Sequence, residues 1–190
     1  MAIILITGPS RSGKSEWAEQ LALQNAEKKQ QQVVYVATAR TNSDDAEWQA
    51  RIERHRLRRP DGWCCEEVPV ALAEAIAQHN KVHCLLIDSL GTWLANLIEQ
   101  DDAQWQQAQA QVMSALRSTS ADVILVAEET GWGIVPAYEL GRRFRDRLGT
   151  LSRSVGALSE AVYLVASGYA IDLKQLGHPV TPVVSASSEV

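Results

Sequence analysis

Nowhere in this sequence do apolar residues run on for the eighteen or so positions that a membrane-spanning helix needs, so membrane insertion is not expected. Cysteine is scarce: Cys64, Cys65 and Cys84 are the three present, an odd number with no C-x-x-C pair. That pattern argues against a structural zinc site or a disulfide framework and fits reduced thiols in the cytosol. Positive charge is not in excess either, since the formal net charge is −5 at pH 7. General affinity for nucleic acid or for an anionic membrane favours basic surfaces and is not expected here. The first residues, Met1-Ala-Ile-Ile-Leu-Ile-Thr, carry no basic region and lead straight into glycine-bearing sequence, unlike a secretory signal. Neither an internal repeat nor a linker divides the chain. A length of 190 residues suits one domain with a real core. That domain is expected over residues 1–176, and the Pro-, Val-, Ser- and Thr-bearing remainder, 177–190, reads as a flexible tail.

What is present is an alternation of two periodicities. Ala2–Thr7 and Val33–Ala37 are short apolar runs of the kind found in buried parallel strands. Cys64–Glu67, Val82–Asp88, Asp122–Ala127, Ala161–Ala166 and Tyr169–Leu173 also read as strands. Between them, Lys14–Lys29, Asp44–Arg58, Val68–Gln78, Gly91–Glu99 and Ala103–Ser118 read as helices. Pro136–Val155 reads as a further helix, opening on a proline, a favoured first helical residue. Such alternation predicts an α/β fold, a mostly parallel sheet flanked by helices on both faces.

Three constellations carry chemistry. "GPSRSGKS", Gly8, Pro9, Ser10, Arg11, Ser12, Gly13, Lys14 and Ser15, fits the phosphate loop G-x-x-x-x-G-K-[ST] of P-loop NTPases, and a RecA-like member of that class is the expected fold. Its backbone amides can wrap a phosphate, Lys14 can reach the β- and γ-phosphates, and the Ser15 hydroxyl can ligate magnesium. The helix that follows directs its positive dipole end at the same phosphates. In "LLIDSL", Asp88 ends a buried strand at the carboxyl edge of the sheet, where it can hold magnesium opposite Ser15. "DSLG" also fits the D-x-x-G of regulatory GTPases, although no [NT]-K-x-D guanine motif follows.

The third constellation is "ARIERHRLRRPDGW", Ala50 to Trp63, where five arginines crowd His55 in an acidic chain. At helical spacing Arg51, His55, Arg58 and Arg59 share one face. A solvated basic face paired with Asp44, Asp45 and Glu47 is one reading. The other is chemical. Neighbouring cations disfavour imidazolium and keep the ring nucleophilic, while the guanidinium groups can clamp a polyphosphate. A neutral imidazole beside a clamped triphosphate can attack phosphorus and form a covalent intermediate.

Taken together, these residues resemble the bifunctional adenosylcobinamide kinase/adenosylcobinamide-phosphate guanylyltransferase family of cobalamin biosynthesis, from Ile3 to about Lys174. The resemblance rests on "LITGPSRSGKS", "YVATA" at Tyr35–Ala39, and "RIERHRLRRPDGWCCEE". It also rests on "LLIDSLGTWLANL", "GWGIVP" at Gly131–Pro136 and "RRFRDRLG" at Arg142–Gly149. It implies that His55 becomes guanylylated and that Ala37, Thr38, Ala39, Arg56, Leu57, Arg58, Arg59, Glu67 and Asp88 join the phosphate loop in holding nucleotide. Also implied are Mg²⁺ at Ser15 and Asp88, GTP and ATP as co-substrates, and adenosylcobinamide and its phosphate as partners. A cytoplasmic homo-oligomer, a trimer, completes the expectation. Three positions depart from the family pattern: Glu128 and Ser152 stand where asparagine is usual, and Thr130 where valine is. An amide replaced by a carboxylate changes charge and hydrogen-bonding capacity, and Glu128 is expected at the corrinoid side of the site. A P-loop small-molecule kinase with no covalent step, and a GTP-dependent switch, are the alternatives.

Overall fold

The computed structural model describes residues 1–40, 60 and 62–180. Strand β1 (Ile3–Gly8) leads through the phosphate loop into helix α1 (Lys14–Lys29), then β2 (Gln32–Ala37). After β3 (Cys64–Glu67) come α2 (Leu72–Gln78), β4 (His83–Asp88), α3 (Leu90–Asn96) and α4 (Asp102–Ser118). Strand β5 (Asp122–Glu128), α5 (Glu139–Leu158), β6 (Ala161–Ala166), β7 (Tyr169–Asp172) and the single turn α6 (Leu173–Leu176) follow. The expected helix Asp44–Arg58 and residues 181–190 of the expected tail lie outside the described residues.

The strands form one seven-stranded sheet in the order β3-β2-β4-β5-β1-β6-β7. Every pairing is parallel except β6 with β7. Period-two alternation divides the apolar side chains between the two faces. Ile4, Ile6, Tyr35, Leu86 and Val126 pack beneath α1, whose buried positions are mostly alanine, Ala18, Ala22 and Ala26. Ile3, Leu5, Val36, Leu85, Ile87 and Leu125 pack beneath α2 to α5, where Trp93, Trp105 and Leu116 fill the larger space. Alanine lets α1 lie close to the sheet, which holds the loop before it near the strand ends.

Three expected helices have different ends. Helix α2 starts at Leu72 rather than Val68, because Pro69 disfavours helical backbone at Val68, whose N–H donates to the Ala37 carbonyl of β2 instead. Helix α3 ends at Asn96, and the carbonyls released at Ile98 and Gln100 accept from the guanidinium of buried Arg147. Pro136 does not open α5. The Pro136 and Ala137 carbonyls accept from the Arg142 side chain, and the helix starts at Glu139. Cys64 and Cys65 are exposed and Cys84 is buried, none in a disulfide. Burial, with the charge of Asp122 adding to it, pushes the Cys84 thiol up to about 12, so it is inert as a nucleophile.

Candidate active site

The site begins where β1 ends. Gly8 is a glycine by necessity, since a Cβ there would lie 2.2 Å from the Val165 carbonyl oxygen. Gly13 has φ near +99°, in the region that favours glycine, and stands at the cap of α1 with no side chain to satisfy the helix's first amides. Those amides are left facing the loop's interior, as an anion site requires. Two further observations fit a phosphate. The Ser12 hydroxyl is buried without a hydrogen-bond partner among the described residues. Among the described residues Lys14, only 6 % exposed, reaches no carboxylate and donates over 3.3 Å to the Pro9 carbonyl of its own loop. A buried ammonium with one long hydrogen bond is poorly compensated, and a triphosphate would supply the missing acceptors. The β6–β7 turn braces the loop from behind, the Gly168 N–H donating to the Ser12 carbonyl.

Parallel register brings the other expected residues to the same edge. Glu67, Ala37 and Asp88 are neighbours in one row across β3, β2 and β4. In the next pair of strands Gly8 is level with Glu128. The structure therefore gathers the phosphate loop, Ala37, Glu67 and Asp88 along the carboxyl edge, as open α/β sheets do for ligands. Thr38, also expected to hold nucleotide, is fully buried. Its hydroxyl donates to the Ser89 carbonyl and accepts from the Ser89 N–H, both at 2.8 Å, while its carbonyl takes the Asn96 amide. Its side chain is spent on locking β2 to the β4–α3 corner. His55, Arg56, Leu57, Arg58 and Arg59 lie outside the described residues.

Two contributors were not foreseen. The Tyr35 hydroxyl donates to Asp88 Oδ2 at 2.8 Å and fixes that carboxylate. Alternation contained the signal: Tyr35 is paired with Leu86, two residues before Asp88 and on the same face. The second is the role of Glu128. Its carboxylate accepts from the Ser89 hydroxyl at 2.5 Å and from the Gly91 N–H at 3.0 Å, clamping the end of β5 to the start of α3. Nothing in the spacing of "VAEETGW" announces that contact. The same residue also lines a cleft of about 470 Å³ between the loop after β5 and the flank of α5, and Thr130 and Ser152 line it too. The three departures from the family pattern thus meet at one place.

Ser15 and Asp88 offer oxygen donors only, the type magnesium takes when phosphates and water complete its shell. Among the described residues no cluster of three or more His, Cys, Asp or Glu side chains could hold a metal alone. That is a donor set suited to a metal delivered with a nucleotide, not to a resident one.

The profile of the cobinamide kinase / cobinamide phosphate guanyltransferase family matches residues 4–173. The chain belongs to this family. It is 38 % identical over 178 residues to the bifunctional adenosylcobalamin biosynthesis protein CobP of Pseudomonas aeruginosa, covering 93 % of this chain and 98 % of the relative. The bifunctional adenosylcobalamin biosynthesis protein CobU of Escherichia coli K12 is 36 % identical over 187 residues, covering 90 % and 99 %. Among solved structures, an ATPase domain superposes with a TM-score of 0.51 at 12 % identity, over 86 % of this chain and 68 % of that one. The flagellar accessory protein FlaH of Methanocaldococcus jannaschii gives 0.50 at 15 %, over 94 % and 82 %. At such identities these two establish the fold alone, a RecA-like P-loop NTPase. Among the described residues no helix is long and apolar enough to cross a membrane.

Proposed function

We propose that this chain performs both activities of its family on one nucleotide site: phosphorylation of adenosylcobinamide, then transfer of GMP to the product. In the first step the aminopropanol hydroxyl oxygen bonds to the γ-phosphorus of ATP or GTP. The bond from that phosphorus to the β–γ bridging oxygen breaks, and the hydroxyl proton leaves to solvent. In the second, an imidazole nitrogen of His55 bonds to the α-phosphorus of GTP and pyrophosphate departs. A phosphate oxygen of adenosylcobinamide phosphate then attacks the same phosphorus, the phosphorus–nitrogen bond breaks, and adenosylcobinamide-GDP is released with His55 restored.

The observation that carries the reading is the phosphate loop itself, an unpartnered Ser12 hydroxyl and an under-compensated Lys14 at the mouth of α1. Lys14 stabilises charge on the transferring phosphoryl oxygens. Asp88, oriented by Tyr35, and Ser15 would hold magnesium, which when bound neutralises charge on the β- and γ-phosphates. Ala37, Ala39, Glu67 and Arg56 to Arg59 complete the nucleotide contacts in this reading. In this reading the protein acts in the cytoplasm as a homotrimer, and the apolar loop that leaves Trp132, Ile134, Val135 and Tyr138 from 58 % to 96 % exposed supports an interface between copies.

The test is incubation with GTP labelled at the α-phosphate, denaturation and mass analysis. Wild type should carry one GMP on His55, lost in acid and stable in mild base. His55→Ala should carry none and should retain phosphorylation of cobinamide. An adduct at wild-type yield in His55→Ala refutes the covalent mechanism and leaves a kinase with no covalent step.

A further inference from the structure

The cleft beside β5 has features that the nucleotide site does not use. Its floor is one flank of α5, where Arg145, Gly149 and Ser152 follow one another at helical spacing. Glycine inside a helix is unfavourable relative to alanine, and what surrounds each interior glycine shows whether a side chain would fit there. The three glycines of α5 differ in this respect. A Cβ at Gly141 would meet the Pro136 ring at 2.7 Å, and one at Gly156 would touch Leu5 and Val162 at 3.6 and 3.7 Å. A Cβ at Gly149 would meet nothing within 4 Å. No neighbour in the described chain accounts for the missing side chain there.

One turn on, the Ser152 hydroxyl oxygen is shielded from solvent and has no hydrogen-bond partner among the described residues. Above it, Arg145 donates to the Gly131 carbonyl and the Glu129 carboxylate accepts from the Gly131 N–H, so the loop over the cleft is built. The Glu129 N–H donates to the Gly8 carbonyl, so the cleft begins one residue from the phosphate loop.

We infer that this cleft receives the acceptor of the phosphoryl-transfer step, taking the amide- and hydroxyl-bearing arm of the corrinoid against Gly149 and the Ser152 hydroxyl. The inference rests on the kinase reading above. The cleft's chemistry selects that part of the molecule. Its charged lining is mixed, Arg145 and Arg153 against Glu128, Glu129 and Asp146. A mixed field favours neutral polar groups over a second polyphosphate. The absence of large apolar side chains among the described residues of the lining disfavours the macrocycle itself. A volume of about 470 Å³ lies in the usual range for a small ligand. It suits an arm of a corrinoid rather than the whole molecule. Gly149 leaves open the space where that arm would approach the helix backbone.

Three variants test this in the full-length enzyme: Gly149→Ala, Gly149→Leu and Ser152→Ala. Since Gly149 faces open space, Gly149→Ala should raise the melting temperature by about 2–4 °C, as expected for a helix-favouring change in a chain of this size. Ser152→Ala should raise it slightly or leave it unchanged, because the change removes a buried hydroxyl without a partner and puts the better helix former in its place. Yet the KM for cobinamide in the kinase assay should rise severalfold in the two alanine variants and tenfold or more in Gly149→Leu. The KM for the nucleotide should stay within twofold, and GTP-dependent adduct formation without acceptor should match wild type. Cobinamide KM values within twofold of wild type in both alanine variants overturn the assignment, whatever the folding of Gly149→Leu. Wild type that phosphorylates no cobinamide refutes the kinase reading, and the assignment falls with it.

Discussion

The contact between Glu128 and the start of α3 predicts a mutation whose effect changes sign with its background. A Cβ built at Gly91 would lie 2.0 Å from Glu128 Oε2 and 2.8 Å from its Cδ, with Leu148 at an ordinary 3.5 Å. Gly91→Ala must therefore push the carboxylate off the Gly91 N–H, although the Ser89 hydroxyl can follow a pivoting side chain. A hydrogen bond to a charged group contributes about 1.5–3 kcal/mol, and replacing a helical glycine by alanine returns up to about 1 kcal/mol. The net loss should be about 0.5–2 kcal/mol, a fall of roughly 1–8 °C in melting temperature at about 2–4 °C per kcal/mol for a chain of this length. In a Glu128→Ala background the obstacle is gone, the Leu148 contact at 3.5 Å is of ordinary van der Waals length, and Gly91→Ala should become neutral or stabilising. Urea unfolding followed by tryptophan fluorescence reads both, since Trp93 is buried within α3. The coupling expected from the cycle is about 1–3 kcal/mol, within the range measured for contacting residues. Equal destabilisation by Gly91→Ala in the two backgrounds would show that Glu128 does not hold this corner.

Asp122, 2 % exposed, accepts from the Ala2 N–H at 2.7 Å and from Lys29 at 2.5 Å. Burial pushes its carboxyl up, but the Lys29 ammonium and the Ala2 N–H outweigh burial and hold it below the ordinary value. With the folded pKa depressed, its contribution is complete above the unfolded value of about 3.9 and is lost as pH falls through the folded one. The urea midpoint of wild type should therefore drop more steeply below about pH 4 than that of Asp122→Asn, and parallel curves would refute the linkage. For the exposed loop, light scattering should give a trimer for wild type and smaller species for Trp132→Ser/Ile134→Ser, whereas monomeric wild type at micromolar concentration would refute the oligomer.

The sheet and the phosphate loop were legible in the sequence because both follow short-range rules. Apolar runs such as Ile3–Ile6 fix strands by burial, and the loop's glycines stand where backbone geometry admits little else, as Gly8 and Gly13 show. Helix ends were less legible because side chains far along the chain decide them. Arg147 takes the carbonyls beyond α3 from 47 and 49 residues away, and only the start of α5 is decided nearby, by Arg142 on the Pro136 and Ala137 carbonyls. Thr38 and Glu128 belong to the same class. "YVATA" suggested a nucleotide contact, but the partner of the Thr38 hydroxyl is Ser89, 51 residues on. Local pattern carries no information about such pairs until strand order is known.

That strand order also explains why Glu128 is tied down. Strand β5 lies between β1, which carries the phosphate loop, and β4, which carries Asp88. The two ends are thus separated by two strand spacings, about 10 Å, enough for a triphosphate with its metal to lie between loop and acid. The end of β5 sits under that gap, and its last residue is level with Gly8. A loose carboxylate there, about 5 Å from a phosphate oxygen, would repel it by about 3 kcal/mol at an effective dielectric of 20. Glu128 instead turns its oxygens toward Ser89 and Gly91, away from the row that Gly8 begins. Its charge is spent on the amide and hydroxyl at the opening of α3, which also fixes Ser89 beside Asp88. A carboxylate at this position is compatible with phosphate binding because the first turn of α3 gives it somewhere else to bind.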